Sequence, residues 1–123
     1  MKYDIGKNIE EVMLNHMECD ALNVESKTYK HSDLFSKANL IKNSINHITQ
    51  DSNQFIGIFC YRTFETYSGI IGTLFSKNAY LPINLKLPSE KINKILTISE
   101  CSLIILGEEG IEAFLNLNKI GLK

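Results

Sequence analysis

The sequence predicts an α/β fold: a parallel sheet covered on both faces, in three layers, with a small hairpin near the N-terminus. Three observations lead there. Short apolar runs recur at Phe55 to Tyr61, Ala79 to Ile83 and Leu103 to Leu106. Runs without polar alternation suit strands buried on both sides. Segments of helical period separate them, and strand–helix alternation argues for parallel strands joined by right-handed crossovers. Finally, 123 residues with 44% hydrophobic and 22% charged composition fit one ordinary globular domain with room for one core.

Each element has its own signal. Ile9, Val12, Met13 and His16 share one helical face over Ile9 to Met17, with Glu10 and Glu11 suited to the positive end of the helix dipole. Asp20 to Val24, the polar turn Glu25-Ser26-Lys27, and Thr28 to His31 read as a small hairpin. Ser32 is a good N-cap for a long helix, and Asp33 falls in its first turn. That helix carries Leu34, Ala38, Ile41, Ile45 and Ile48 as a stripe, with Lys37, Lys42 and Asn46 expected in water. After the Phe55 to Tyr61 strand, Thr63 caps a helix whose face is Tyr67, Ile70, Ile71, Leu74 and Phe75. Pro82 sits near the end of the second strand. Pro88 and Ser89 open a helix carrying Ile92, Ile95, Leu96 and Ile98. A third strand covers Leu103 to Leu106, Gly107 to Gly110 turns, and Ile111 to Asn118 is a last helix.

Charge and composition narrow the function classes. The net charge is −1, so the chain projects no basic field toward nucleic acid or an acidic membrane. There are 17 Ile, 12 Lys and 12 Asn but one Arg. That skew reads as codon bias of an AT-rich genome, not as chemistry. The N-terminal segment lacks the apolar stretch of a signal peptide. No apolar run approaches the about 18 residues of a membrane-spanning helix. Cys19, Cys60 and Cys101 form no CxxC pair, which suits three reduced thiols in a cytoplasmic protein.

The residues that carry chemistry are sparse. Gly69 and Gly72 lie inside a helical pattern, where they suit close packing better than a phosphate cradle. Gly107 and Gly110 flank Glu108 and Glu109, whose charge repels phosphate. His16, His31 and His47 stand too far apart in sequence for a ligand set in helical register. Arg62 follows the first buried strand, where sites on such sheets collect. It reads as an anion contact or as a partner of Glu65, the commoner arrangement.

Longer motifs carry a family resemblance. Thr28-Tyr29-Lys30-His31-Ser32-Asp33-Leu34, followed by Ala38-Asn39, resembles the opening T-Y-x-Y-x-E-L … A-N motif of the adenylate-forming (AMP-binding) enzymes. Arg62-Thr63-Phe64-Glu65 resembles their R-S-P-E, and Leu74 to Asn84 resembles L-K-A-G-x-A-Y-V-P-L-D. The likeness runs from about Ala21 to Leu106 and is strongest to the amino-acid-activating adenylation domains of nonribosomal peptide synthetases, with acyl-CoA synthetases next. His31, Asp33, Lys77 and Asn84 depart from the pattern; where the family has glycine, this chain has Lys77 and then Asn78, the next best residue for a left-handed helix end.

The resemblance implies that residues 1–123 form a partial, truncated N-terminal subdomain of an adenylation domain. It implies a scaffold role for Tyr29, Asp33, Leu34, Asn39, Arg62, Glu65, Ala79, Tyr80, Pro82 and Asn84. The family's phosphate loop, acyl pocket and catalytic lysine have no counterpart here. The resemblance therefore implies no catalytic, cofactor-binding or metal residue in this chain, although a complete member uses ATP and Mg. A whole enzyme would form an acyl- or aminoacyl-AMP and pass the acyl group to a thiol. The expected partner is the remainder of that domain, or a second copy covering an open sheet edge, with neither nucleic acid nor membrane. A non-catalytic interaction module, a split-enzyme subunit or a homo-oligomer is the other reading.

Overall fold

The computed structural model describes residues 4–49, 53–59, 61–101, 103–107, 111 and 114. The chain runs α1 (Ile5–Leu14), β1 (Asp20–Val24), β2 (Lys27–Lys30), α2 (His31–Ile48), β3 (Phe55–Phe59), α3 (Phe64–Phe75), β4 (Ala79–Ile83), α4 (Ser89–Ile98) and β5 (Leu103–Ile105). β1 and β2 pair antiparallel as the hairpin. β3 lies between β4 and β5 and is parallel to both. The predicted parallel sheet is therefore present, with its first strand at the centre.

The sheet separates two helical layers. Ile56 and Ile58 point to one face, where α3 lies close enough that a Cβ on Gly69 would stand 3.3 Å from Ile105 Cγ2. Gly57 and Phe59 point to the other, where Phe59, Ile83, Ile92 and Leu96 form one buried cluster under α4. α2 crosses outside α3, and Gly72 lets the two backbones approach: a Cβ there would meet Ala38 O and Ile41 Cβ, each at 2.8 Å. Gly6 does the same for α1, its missing Cβ facing the Leu74 carbonyl.

Several boundaries differ from expectation for identifiable reasons. α1 starts at Ile5 because the Asp4 carboxylate accepts the Lys7 N–H at 3.0 Å. It ends before His16, which is exposed. α2 starts one residue before Ser32, with Lys30 at the cap position and the Asp33 carboxylate accepting the Lys30 N–H at 2.9 Å. Capping thus comes from Asp33 reaching back, as half of a capping box. Lys37 and Lys42 are half-buried instead of lying in water. The stripes overrun their contacts, leaving Ile48 67% and Ile98 72% exposed. β3 stops at Phe59 and β5 at Ile105. The last helix lies mostly outside the described residues; Ile111 and Phe114 are helical, and Phe114 packs near Phe59.

The deepest face of α3 is not its apolar stripe. Thr66, Ser68, Gly69, Gly72 and Thr73 are buried, whereas Tyr67, Ile70, Ile71, Leu74 and Phe75 are half-buried. A helix held between a sheet and two other helices needs small residues at its closest approaches. Burying the hydroxyls is tolerable because they bond back to their own helix. Ser68 Oγ donates to Phe64 O at 2.7 Å, and Thr73 Oγ1 to Gly69 O at 2.8 Å.

The turn after α3 stores backbone strain. Lys77 has φ 65°, the left-handed conformation that glycine adopts without a Cβ clash. The left-handed position is thus Lys77 and not Asn78. Replacing Lys77 with glycine should stabilise the chain by about 0.5–1 kcal/mol, the part of the clash that survives glycine's greater unfolded-state entropy. Urea denaturation followed by circular dichroism checks this; a lower midpoint would contradict it.

Candidate functional site

In an open parallel sheet, ligands collect outside the C-terminal ends of the strands where the strand order reverses. Here the chain passes from β3 to β4 on one side and then to β5 on the other. The reversal places Tyr61, Arg62 and Thr63 after β3, opposite Leu106 and Gly107 after β5, with Asn84 closing β4. This rim is the candidate site.

Its polar groups are mostly engaged in holding the turn. Thr63 Oγ1 accepts the Thr66 N–H at 3.2 Å and caps α3, as its sequence position predicts. Thr63 also donates to Thr66 Oγ1 at 3.3 Å, and that oxygen accepts the Tyr61 N–H at 3.2 Å. Asn84 Oδ1 accepts the Lys86 N–H at 2.9 Å, closing an Asx-type turn. Arg62 and Glu65 are exposed and do not pair; the ion pair among the described residues is Lys30 Nζ to Glu18 Oε1 at 3.4 Å.

The motif residues converge unevenly. The Tyr29 ring stacks on Phe64 with centroids 4.2 Å apart and planes 18° from parallel, so the hairpin motif touches the Arg62–Glu65 turn directly. Lys27 Nζ lies 5.1 Å from the Tyr29 ring centroid, and Asp33 and Leu40 border the open hollow beside the stack. Leu34 is buried, and Asn39 is half-buried on α2. Ala79, Tyr80 and Pro82 are exposed on β4, and the Ala79 N–H bonds to Gln54 O at 2.9 Å.

Sequence reasoning missed two buried polar nodes. Asn78 Oδ1 accepts the Gln54 N–H at 2.9 Å, while its Nδ2 donates to Ser76 Oγ at 3.0 Å and Ser76 O at 3.3 Å. It ties the end of α3 to the start of β3. Thr66 was legible only as the residue three places after the cap.

The described residues hold no group of three His, Cys, Asp or Glu side chains placed for a metal ion. His16 and His47 are exposed and His31 is half-buried. Cys19 and Cys101 are free thiols, and Cys60 lies outside the described residues. No described helix is long and apolar enough to cross a membrane. Among the described rim residues, the Arg62 guanidinium is exposed and the Thr63 and Thr66 hydroxyls are bonded within the turn.

Comparison with known proteins places this arrangement. No family model matches the chain. Surfactin synthase subunit 3 of Bacillus subtilis is 25% identical over 100 residues, spanning 81% of this chain and 8% of that protein. The Vibrio cholerae adenylation domain AlmE, solved with glycyl-adenosine-5'-phosphate, superposes with TM-score 0.81 at 21% identity, covering 97% of this chain and 22% of its own. The anthranilate CoA ligase AuaEII, solved with anthranoyl-AMP, gives TM-score 0.84 at 14% identity, with 95% and 23% covered. The chain thus spans under a tenth of the length of the curated relatives and about a quarter of these solved chains. It is an α/β segment with the fold of part of an adenylation domain or acyl-CoA ligase.

Proposed function

We propose that this chain is the N-terminal scaffold of an ATP-dependent acyl- or aminoacyl-adenylate-forming ligase, catalytically incomplete without the rest of that fold. The whole enzyme would join a carboxylate to AMP with release of pyrophosphate and then transfer the acyl group to a thiol, using ATP and Mg. The observation that carries this reading is the β4-β3-β5 sheet with its flanking helices, which superposes almost end to end on a minor part of much longer adenylation domains. Under it, Tyr29, Asp33, Leu34, Asn39, Arg62, Glu65, Ala79, Tyr80, Pro82 and Asn84 act as scaffold. Asp33 caps α2, the Tyr29–Phe64 stack fixes the hairpin, and Leu34 fills the core.

Chemistry at the rim supports incompleteness. Forming an acyl-AMP builds charge on the α-phosphate and expels pyrophosphate, so the transition state needs fixed donors and a cation around the polyphosphate. Arg62 alone does not supply them. The partner is the remainder of the domain, and the setting proposed is the cytoplasm, away from nucleic acid and membranes. Carboxylate-dependent ATP–pyrophosphate exchange tests the reading. The purified chain should give no exchange above the no-enzyme control with any amino or carboxylic acid, and sustained exchange would contradict it.

A further inference from the structure

We infer that His16 and His31 form a two-imidazole binding site for a late first-row divalent cation of the Ni²⁺, Cu²⁺ and Zn²⁺ class. The two stand 15 positions apart in sequence, but the fold brings them together. Their ring centroids lie 6.2 Å apart, with planes tilted by 46°. Two imidazoles that share one ion, each bonded at about 2.1 Å, have centroids roughly 4.5–6.5 Å apart, depending on the angle at the metal. The observed separation falls inside that span.

The backbone beneath the rings is cross-tied. The His16 N–H bonds to Met13 O at 3.0 Å, and the Cys19 N–H bonds to His16 O at 2.9 Å. Two further bonds join the turn after α1 to the start of α2: His31 N–H to Cys19 O and Ser32 N–H to Met17 O, each at 3.0 Å. The two residues are thus mounted in a fixed relation, and little ordering of the chain is left to oppose an ion that bridges them.

The ring nitrogens suit the role. His16 Nδ1 lies 2.8 Å from the Val12 carbonyl oxygen. A carbonyl only accepts, so Nδ1 carries the proton and Nε2 keeps its lone pair. Donation of one ring N–H to a backbone carbonyl is how ligating histidines are commonly oriented. His31 Nδ1 is buried without a hydrogen-bond partner, which leaves Nε2 as the nitrogen to meet an ion. His16 is exposed and His31 half-buried, so the pair is open to solvent. Among the described residues no third His, Cys, Asp or Glu completes the set, and water takes the remaining positions. Imidazole suits Ni²⁺, Cu²⁺ and Zn²⁺, whereas Mg²⁺ takes oxygen ligands. The site is therefore distinct from the Mg proposed for the whole enzyme, and the inference stands apart from the ligase reading.

Isothermal titration of the untagged full chain with Ni²⁺ tests it. One ion should bind per chain, saturating below about 1 mM; His16→Gln and His31→Gln should each weaken binding about tenfold or more, and His47→Gln should leave it within about twofold. Proton NMR on the wild type guards against a variant that fails to fold. Substoichiometric Ni²⁺ is paramagnetic and should broaden the imidazole signals of His16 and His31 together, before that of His47. Absence of saturable binding, broadening that spares either ring of the pair, or binding lost in Cys19→Ser but kept in both His16→Gln and His31→Gln would each overturn the inference.

Discussion

Phe59→Ala should cost about 3–5 kcal/mol, enough to leave much of the chain unfolded at room temperature. Phe59 is 1% exposed, occupies the C-terminal end of the central strand and belongs to the cluster with Ile83, Ile92 and Leu96. It also meets Phe114, with ring centroids 6.4 Å apart. Truncation removes the ring's transfer free energy and leaves a cavity, because β3 is held on both sides by ladders and cannot move in to fill it. Circular dichroism in a urea titration reads the effect. A midpoint within experimental error of the wild type would mean that α4 does not rest on β3 through this ring.

Gly72→Val should be nearly as damaging, by about 2–3 kcal/mol through overpacking and a β-branched residue within a helix. The added Cβ would meet Ala38 O and Ile41 Cβ at 2.8 Å, and α2 must retreat from α3 to admit it. Gly69→Ala is the informative contrast. Its new methyl meets Ile105 side-chain atoms alone, Cγ2 at 3.3 Å and Cδ1 at 4.0 Å, and no backbone atom, so a few tenths of an ångström of give admit it. The helix gains about 1 kcal/mol of propensity from the exchange, so the net change should be small. Parallel thermal melts of the two variants decide the matter. Equal losses would show that the two glycines share one role, and that the close approach of α2 to α3 is not what Gly72 serves.

The outline of the fold was legible because its strongest signals are local. Phe55 to Phe59 has the uninterrupted apolar run of a strand buried on both faces, and Ile56, Ile58 and Phe59 are buried. Thr63 could be recognised as a cap because its role needs only the next few residues. What escaped depends on partners distant in sequence. Nothing near Ser68 or Thr73 announces that they lie deeper than Ile70 and Ile71; that follows from how closely α2 and the sheet approach α3. Asn78 looked like a helix-end residue, yet its bond to Gln54 spans the whole β3–α3 unit. The left-handed turn fell to Lys77 because Asn78 is held by those bonds. Arg62 was expected to pair with Glu65, three places on in sequence, but the structure leaves both exposed and unpaired with each other.

This chain has the fold of part of an adenylation domain or acyl-CoA ligase, and the scaffold reading proposed for it expects no nucleotide binding by the chain alone. Isothermal titration of the full chain with ATP and excess Mg measures that directly. The expected result is no saturable heat at any ATP concentration up to the millimolar range. Saturable binding with a micromolar dissociation constant, lost on replacing Arg62 with alanine, would contradict it and make the rim a nucleotide site in its own right.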